Sequence, residues 1–221
     1  KEMEKGGPVC RVEADDRVGF LNFTIAPSVL HRALNRILKA DGDWGRTESG
    51  RGEKILLEFV SANPTGPLTV AHGRQAAVGD VLATLLSRAG FEVCREYYLN
   101  DRGRQMDILG DSVFLRWKEQ AGQKIEFPPD YYQGDYIRTL ARSLPSGRMP
   151  DPGDELSPSR RREMTAYCSE FAAGKLLAMI RQELDDFGVR IDSWVSETNL
   201  VDEGRVVEIL DLLADNKETY S

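Results

Sequence analysis

The sequence predicts an α/β fold built on a mostly parallel sheet, and three observations predict it. Ile55, Leu56, Leu57, Phe59 and Val60 form a nearly continuous apolar run. Such a run suits a strand buried on both faces, as in a parallel sheet. Asn63-Pro64-Thr65-Gly66-Pro67 ends it. The two prolines fix φ and withhold backbone donors, and Gly66 tolerates positive φ. From about His72 a helix is expected, because Ala76, Ala77, Val81, Leu82, Leu85, Leu86 and Ala89 recur at helical spacing, with Gly90 placed as a C′ glycine. A second strand, 91–99 (FEVCREYYL), follows. Strand, helix and strand make a βαβ unit with a right-handed crossover.

The flanking elements are read in order. Residues 1–16 are polar and predict nothing definite. In 19–26 (GFLNFTIA), Leu21, Phe23 and Ile25 share a face, as in a strand. Val29, Leu30, Ala33, Leu34, Ile37 and Leu38 then form an amphipathic helix, with His31 outside the stripe. One strand and one helix cannot close a core, so 1–40 reads as the end of a domain begun earlier. Residues 41–53, rich in Gly and charge, read as a linker in which Trp44 packs on a neighbour.

After the second strand a helix is expected over 106–117, with Asn100 and Asp101 equally suited to capping it or to contacting a ligand. The proline-rich stretch around 118–160 reads as an insertion with turns at 128–134 and 150–153 and a short helix at 136–143. There Tyr131 and Tyr132 are expected to pack rather than stack on a base. Arg160-Arg161-Arg162 open a long helix whose apolar side carries Met164, Tyr167, Cys168, Phe171, Leu176, Met179, Leu184 and Phe187. These arginines read as a solvated turn rather than a nucleic-acid patch. A third strand over 189–196 and a last helix over 203–214 complete the pattern. Asp202 would cap that helix, with Val206, Val207, Ile209, Leu210 and Leu213 buried.

Composition narrows the function classes. A chain of 221 residues, 41% apolar and 29% charged, describes an ordinary globular protein of one or two domains. No run is long and apolar enough to span a membrane, and no signal-peptide pattern opens the sequence. Cys10, Cys94 and Cys168 are odd in number and scattered, which favours reduced thiols over disulfides. With only His31 and His72, a histidine metal site is not expected. The net charge of −7 argues against coating nucleic acid by bulk electrostatics.

The chemistry-bearing stretch is 58–80, EFVSANPTGPLTVAHGRQAAVGD. A helix N-terminus directly after a buried strand offers free N–H groups and partial positive charge, a physical site for phosphate or carboxylate. His72 and Arg74 lie at this end, with Ser61, Asn63 and Thr65 beside it.

Here SANPTGPLTVAHGRQAAVGD, followed by REYYLNDRGRQ at 95–105, resembles bacterial arginyl-tRNA synthetase, a class I aminoacyl-tRNA synthetase. The resemblance covers about 17–221 and is strongest in 54–111. It departs at the first signature: where the family has His-x-Gly-His, this chain has Thr69, Val70, Ala71 and His72. The resemblance implies a Rossmann-like catalytic domain, of which 54–221 would be the first part. Ahead of it, 1–40 would end an accessory domain that contacts tRNA.

By the same resemblance ATP and L-arginine would form arginyl-adenylate, and the arginyl group would pass to tRNA(Arg). His72 would bind phosphate oxygens or pack near the adenine and ribose, and Thr69 would offer a hydroxyl in place of the missing imidazole, with Pro64, Thr65, Gly66 and Ala71 completing the ATP site. Ser61 and Asn63 would hold the arginine backbone groups and Glu58 its ammonium. Asn100, Asp101 and Gln105 are further candidates. Mg2+ would accompany ATP, no structural metal is expected, and the protein would be a cytoplasmic monomer. A lysine-rich second signature and an anticodon-binding domain would follow residue 221, so the chain alone is expected to be inactive. A non-catalytic paralogue that binds tRNA or protein is one alternative. A nucleotidyltransferase with a His-x-x-His-like turn is another.

Overall fold

A computed structural model describes residues 7–15 and 17–218. Its first elements are an antiparallel pair, β1 (Val9–Asp15) and β2 (Phe20–Ile25), followed by helix α1 (Pro27–Ala40). The strand β1 was not expected from its polar composition. It forms because pairing with β2, in the register Asp15↔Phe20 to Val9↔Ile25, satisfies its backbone whatever its side chains. Helix α1 starts with Pro27 in its first turn, where the missing N–H costs nothing. Its stripe, Leu30, Leu34 and Leu38, is exposed, as are Phe20, Leu21, Phe23 and Ile25 of β2.

The stretch 41–53 folds back on the helix α2 (Val70–Arg88). The amides of Thr47, Gly50 and Gly52 donate to the carbonyls of Arg88 (2.9 Å), Ala89 (2.8 Å) and Gly90 (2.9 Å). Carbonyls at a helix C-terminus lack intrahelical donors, and this segment supplies them. Gly90 has φ 92°, and a Cβ there would lie 2.8 Å from the Thr47 carbonyl oxygen, so glycine is required twice over. Trp44 stays 44% exposed rather than packed away.

The expected βαβ unit is present. Strand β3 (Lys54–Glu58) pairs in parallel with β4 (Glu92–Leu99), and β4 pairs in parallel with β5 (Ser193–Ser196), giving the order β3-β4-β5. Ala76 of α2 joins Tyr97 and Leu99 of β4 in one core with Ile180 and Leu184 of α5 (Pro158–Asp186). The expectation that β3 is buried on both faces fails, since Leu56 is 60% exposed. Among the described residues β3 is an edge strand, and the face carrying Leu56 and Glu58 has no covering helix.

A second core joins α5 to α3 (Arg104–Gln120) and α4 (Asp135–Arg142) through Leu109, Val113, Phe114, Ile137, Cys168 and Ala172. Helices α3 and α5 touch closely at Gly110, where a Cβ would lie 2.2 Å from the Thr165 carbonyl oxygen. Tyr131 donates to Asp111 at 3.2 Å, and Tyr132 packs against this core, as expected of packing tyrosines. Arg160 pairs with Glu163 at 2.7 Å within an exposed helix turn.

Other expectations give way. Phe187 is 59% exposed, because it is the residue that leaves α5. The third strand is shorter than 189–196, because the Val189 amide donates to Leu184 and belongs to the helix exit. Asp202 caps nothing: it ends a short helix, α6 (Glu197–Asp202), and Gly204, in the left-handed region, leads into α7 (Arg205–Asp215). The stripe Val206, Val207, Ile209 and Leu210 of α7 is exposed rather than buried.

Candidate functional site

The chain leaves the sheet through a strained turn. The Phe59 amide makes the last backbone–backbone hydrogen bond with β4, donating to Glu96 at 3.2 Å. Val60 (φ 67°) and Ser61 (φ 38°) then both adopt positive φ. For a β-branched residue this is a true outlier, and such strain persists only where the surroundings fix it. They do so here. Ser61 Oγ accepts the Tyr98 amide at 3.0 Å, standing in for a strand carbonyl. The Tyr97 hydroxyl donates to the Ala62 carbonyl at 2.9 Å, and its ring is fully buried. Burial pushes the Tyr97 hydroxyl up to about 12, although the bond to Ala62 opposes this.

Positive φ was expected at Gly66 and falls instead at Val60 and Ser61. Gly66 lies close to α4: a Cβ there would lie 3.3 Å from the Tyr136 hydroxyl, which would have to give by a few tenths of an ångström. Pro64 and Thr65 are buried. Asn63 is exposed, and its side chain makes no hydrogen bond to the described residues.

At the start of α2, Thr69 is the N-cap residue. Its amide donates to His72 Nδ1 at 3.0 Å, and its hydroxyl lies 3.1 Å from the same nitrogen. A ring nitrogen that accepts a backbone N–H carries no proton, so this geometry assigns the proton to Nε2. His72 therefore keeps an Nε2–H donor that meets no acceptor among the described residues, at a first turn where Thr69 and His72 form a capping box. Ala71 is exposed within that turn.

The carboxyl ends of the strands carry negative charge. Glu58 and Glu96 are register partners on β3 and β4, so both side chains lie on the same open face. The Tyr98 hydroxyl is raised, first by desolvation and then by the charges of Glu197, Asp101 and Glu58. A cation would be favoured where these charges converge. An open cleft of about 490 Å³ beside α2 brings Glu58, Ser61 and Arg74 together, with Val78 and Leu82 on its wall. Asn63, Thr69 and His72 do not line it.

Asp101 resolves the question of capping against ligand contact in an unforeseen way. The N-cap of α3 is Gly103. The Asp101 carboxylate instead accepts the Ser196 hydroxyl at 2.6 Å and the Thr198 amide at 3.0 Å, capping α6 across 95–97 residues of chain. Burial alone would raise this carboxyl, but the Ser196 and Thr198 donors outweigh it and hold it below the ordinary range. Gln105 donates to the Asn100 carbonyl at 3.1 Å and so braces the same loop. Sequence reasoning missed Glu96, Tyr97, Tyr98 and Tyr136. Alternation along β4 could have placed Glu96 beside Glu58; nothing local points to Tyr136.

Residues 33–133 match the family model for tRNA synthetases class I (R), catalytic domain. Curated relatives include an arginine–tRNA ligase of Geobacter sp. (strain M21), 50% identical over 85% of this chain and 33% of its own. This chain is a homologue of the arginyl-tRNA synthetases. A second arginine–tRNA ligase, from Syntrophotalea carbinolica, is 42% identical over 98% of this chain and 38% of the relative. A Campylobacter jejuni structure described as an arginyl-tRNA synthetase superposes with TM-score 0.73 at 33% identity, over 89% of this chain and 42% of that one. This synthetase homologue thus spans about a third of the length of the curated relatives it matches. The parallel sheet and its strand–turn–helix unit are those of a class I synthetase catalytic domain. No helix among the described residues is long and apolar enough to cross a membrane.

Proposed function

We propose that this chain forms the amino-acid and nucleotide end of an arginine–tRNA ligase. The ligase joins L-arginine to tRNA(Arg) through arginyl-adenylate. The observation that carries this reading is the start of α2. There Thr69 holds His72 by Nδ1, which leaves Nε2–H as the outward donor, and the carboxylates of Glu58 and Glu96 lie on β3 and β4, the strands that flank α2 in sequence. The donors suit phosphate and the carboxylates suit a cationic amino acid. In the first step an arginine carboxylate oxygen attacks the α-phosphorus of ATP and the bond to the β-phosphate oxygen breaks, releasing pyrophosphate. In the second a ribose hydroxyl of the tRNA attacks the arginyl carbonyl and AMP leaves. The protein's part is to hold the reacting groups in line and to offset developing negative charge.

His72 donates to phosphate from Nε2, and Thr69 fixes its ring through Nδ1. Ala71, Pro64, Thr65 and Gly66 shape the ATP side. Glu58, with Glu96, meets the cationic groups of arginine, and Asn63 faces the amino acid. Ser61 has its oxygen committed to the Tyr98 amide, so its role is to hold the turn while its own proton stays available. Mg2+ enters with ATP as part of the substrate. A monomeric, cytoplasmic enzyme belongs to the same proposal.

Arginine-dependent ATP–pyrophosphate exchange by the full-length protein that contains this chain, together with separate titrations of ATP and arginine, tests it. Neither ligand binding, while tRNA still does, would transfer the chain to the non-catalytic paralogue reading.

A further inference from the structure

The loop between β3 and α2 is held from two sides. On one side it is tied to β4, which is part of the sheet. On the other it meets α4, about 70 residues later in sequence, and this second contact has no place in the reading above. The Tyr136 hydroxyl donates to the Thr65 carbonyl at 2.9 Å. Its ring lies between two glycines: a Cβ on Gly66 would come 3.3 Å from the hydroxyl oxygen, and one on Gly134 would come 2.6 Å from a ring carbon. Desolvation raises the hydroxyl to about 12, so it remains a donor throughout the physiological range. The next residue, Ile137, is fully buried in the α3–α5 core with Leu140 and Ala141. Helix α4 therefore cannot move without disturbing that core, and Tyr136 is its only polar arm onto the loop among the described hydrogen bonds.

We infer that Tyr136 is a positioning residue that fixes the 63–69 loop, and through it the start of α2, against the helical core. It touches no reacting atom in this geometry. It acts through the Thr65 carbonyl, four residues ahead of the cap at Thr69. The two glycines are the complement of this side chain: one opens the loop to the hydroxyl, and the other lets the ring turn back over the start of its own helix. The role rests on the nucleotide-facing reading of this loop, but the clamp itself is a statement about the chain alone.

The decisive variant is Tyr136→Phe, which keeps the ring between the glycines and removes only the donor. Two measurements, exchange on the chain and titrations on the full-length protein, separate the possibilities. Amide hydrogen exchange at Thr69, whose N–H is held by His72, should quicken roughly fivefold, the weight of one neutral hydrogen bond, while Val113 and Ile180 exchange as before. Separate titrations should show the affinity for ATP with Mg2+ falling by about the same factor, with arginine changed less than twofold. Unchanged exchange in the loop would overturn the clamp. Equal weakening of both ligands with a lowered melting temperature would reduce Tyr136 to a general structural residue. If the full-length wild-type protein binds no ATP, the nucleotide reading falls, and the exchange result alone decides whether the clamp exists. Gly66→Ala is the second variant: pushing the ring away should loosen the Thr69 amide with the hydroxyl still present.

Discussion

Replacing Gly79 by alanine should destabilise the protein, whereas replacing Gly174 should stabilise it, although both are helix-interior glycines. Helix propensity favours alanine over glycine by about 1 kcal/mol at either site. At Gly174 of α5 the added methyl meets nothing within 4 Å, so the propensity gain stands. At Gly79 of α2 it would sit 2.3 Å from the Phe59 ring and 2.8 Å from Phe59 Cβ. Carbon atoms rest about 3.5–4.0 Å apart, so helix or ring must shift by more than 1 Å. Overpacking of this kind costs about 1–3 kcal/mol, which cancels or exceeds the propensity gain.

The gap between the two variants should therefore be roughly 1–3 kcal/mol, or about 3–10 °C in melting temperature for a chain of this size. Urea unfolding, read by circular dichroism with equal m-values, measures it. Phe59 precedes the strained pair Val60–Ser61, so Gly79→Ala should also weaken arginine binding. A Gly79→Ala protein as stable as Gly174→Ala would refute the close packing of α2 on the end of β3.

Four further outcomes are expected. Asn63→Ala should leave the unfolding midpoint within about 0.5 kcal/mol, since Asn63 is exposed and unbonded. It should nevertheless weaken arginine binding by roughly tenfold to hundredfold, the weight of a hydrogen bond to a charged group, and ATP binding less; parallel titrations decide it. In the full-length ligase, His72→Ala should lower ATP–pyrophosphate exchange well over tenfold, whereas Thr69→His with Ala71→Gly should change it far less; an inactive wild type rescued by that double change would mark a degenerate copy. The Asp101 carboxyl is depressed in the folded state, so its contribution is present above the ordinary carboxylate value and is lost as pH falls through the lower folded value. Asp101→Asn should then be the less stable protein at pH 7, with the gap closing below about pH 4 in urea titrations at stepped pH. Tyr97→Phe should cost about 1 kcal/mol by leaving the Ala62 carbonyl without its buried donor, and an unchanged urea midpoint would count against that bond.

The elements with strong local signals were legible. Helix α2 begins within two residues of the expected start, and Gly90 stands as the C′ glycine after Ala89. The short helix in the insertion also falls where its pattern put it. What could not be read was set by distant neighbours. The burial of β3 depended on what covers its second face, which no periodicity states. Strand β1 depended on its hairpin partner. Asp101 looked like a cap for the helix just after it, yet its oxygens serve a helix 95–97 residues later. At the site, His72 and its helix end were plain from the strand–turn–helix pattern. The tautomer was not, because it comes from the Thr69 amide. Nor was the bracing of the loop by Tyr97 and Tyr136, because both bonds go to main-chain carbonyls that any residue type would offer.

The edge position of β3 has a consequence for how the chain behaves in company. It pairs with β4 alone, so one side of Lys54–Glu58 leaves main-chain donors and acceptors unsatisfied by the described residues. Leu56 stands beside that row at 60% exposure. Such a row is a template for another strand. Charged Lys54 and Glu58 at its two ends penalise the antiparallel approach of an identical copy least, since each end would then meet its opposite charge. Concentrated solutions of these residues should therefore self-associate edge to edge, and a single lysine at Leu56 should keep them apart.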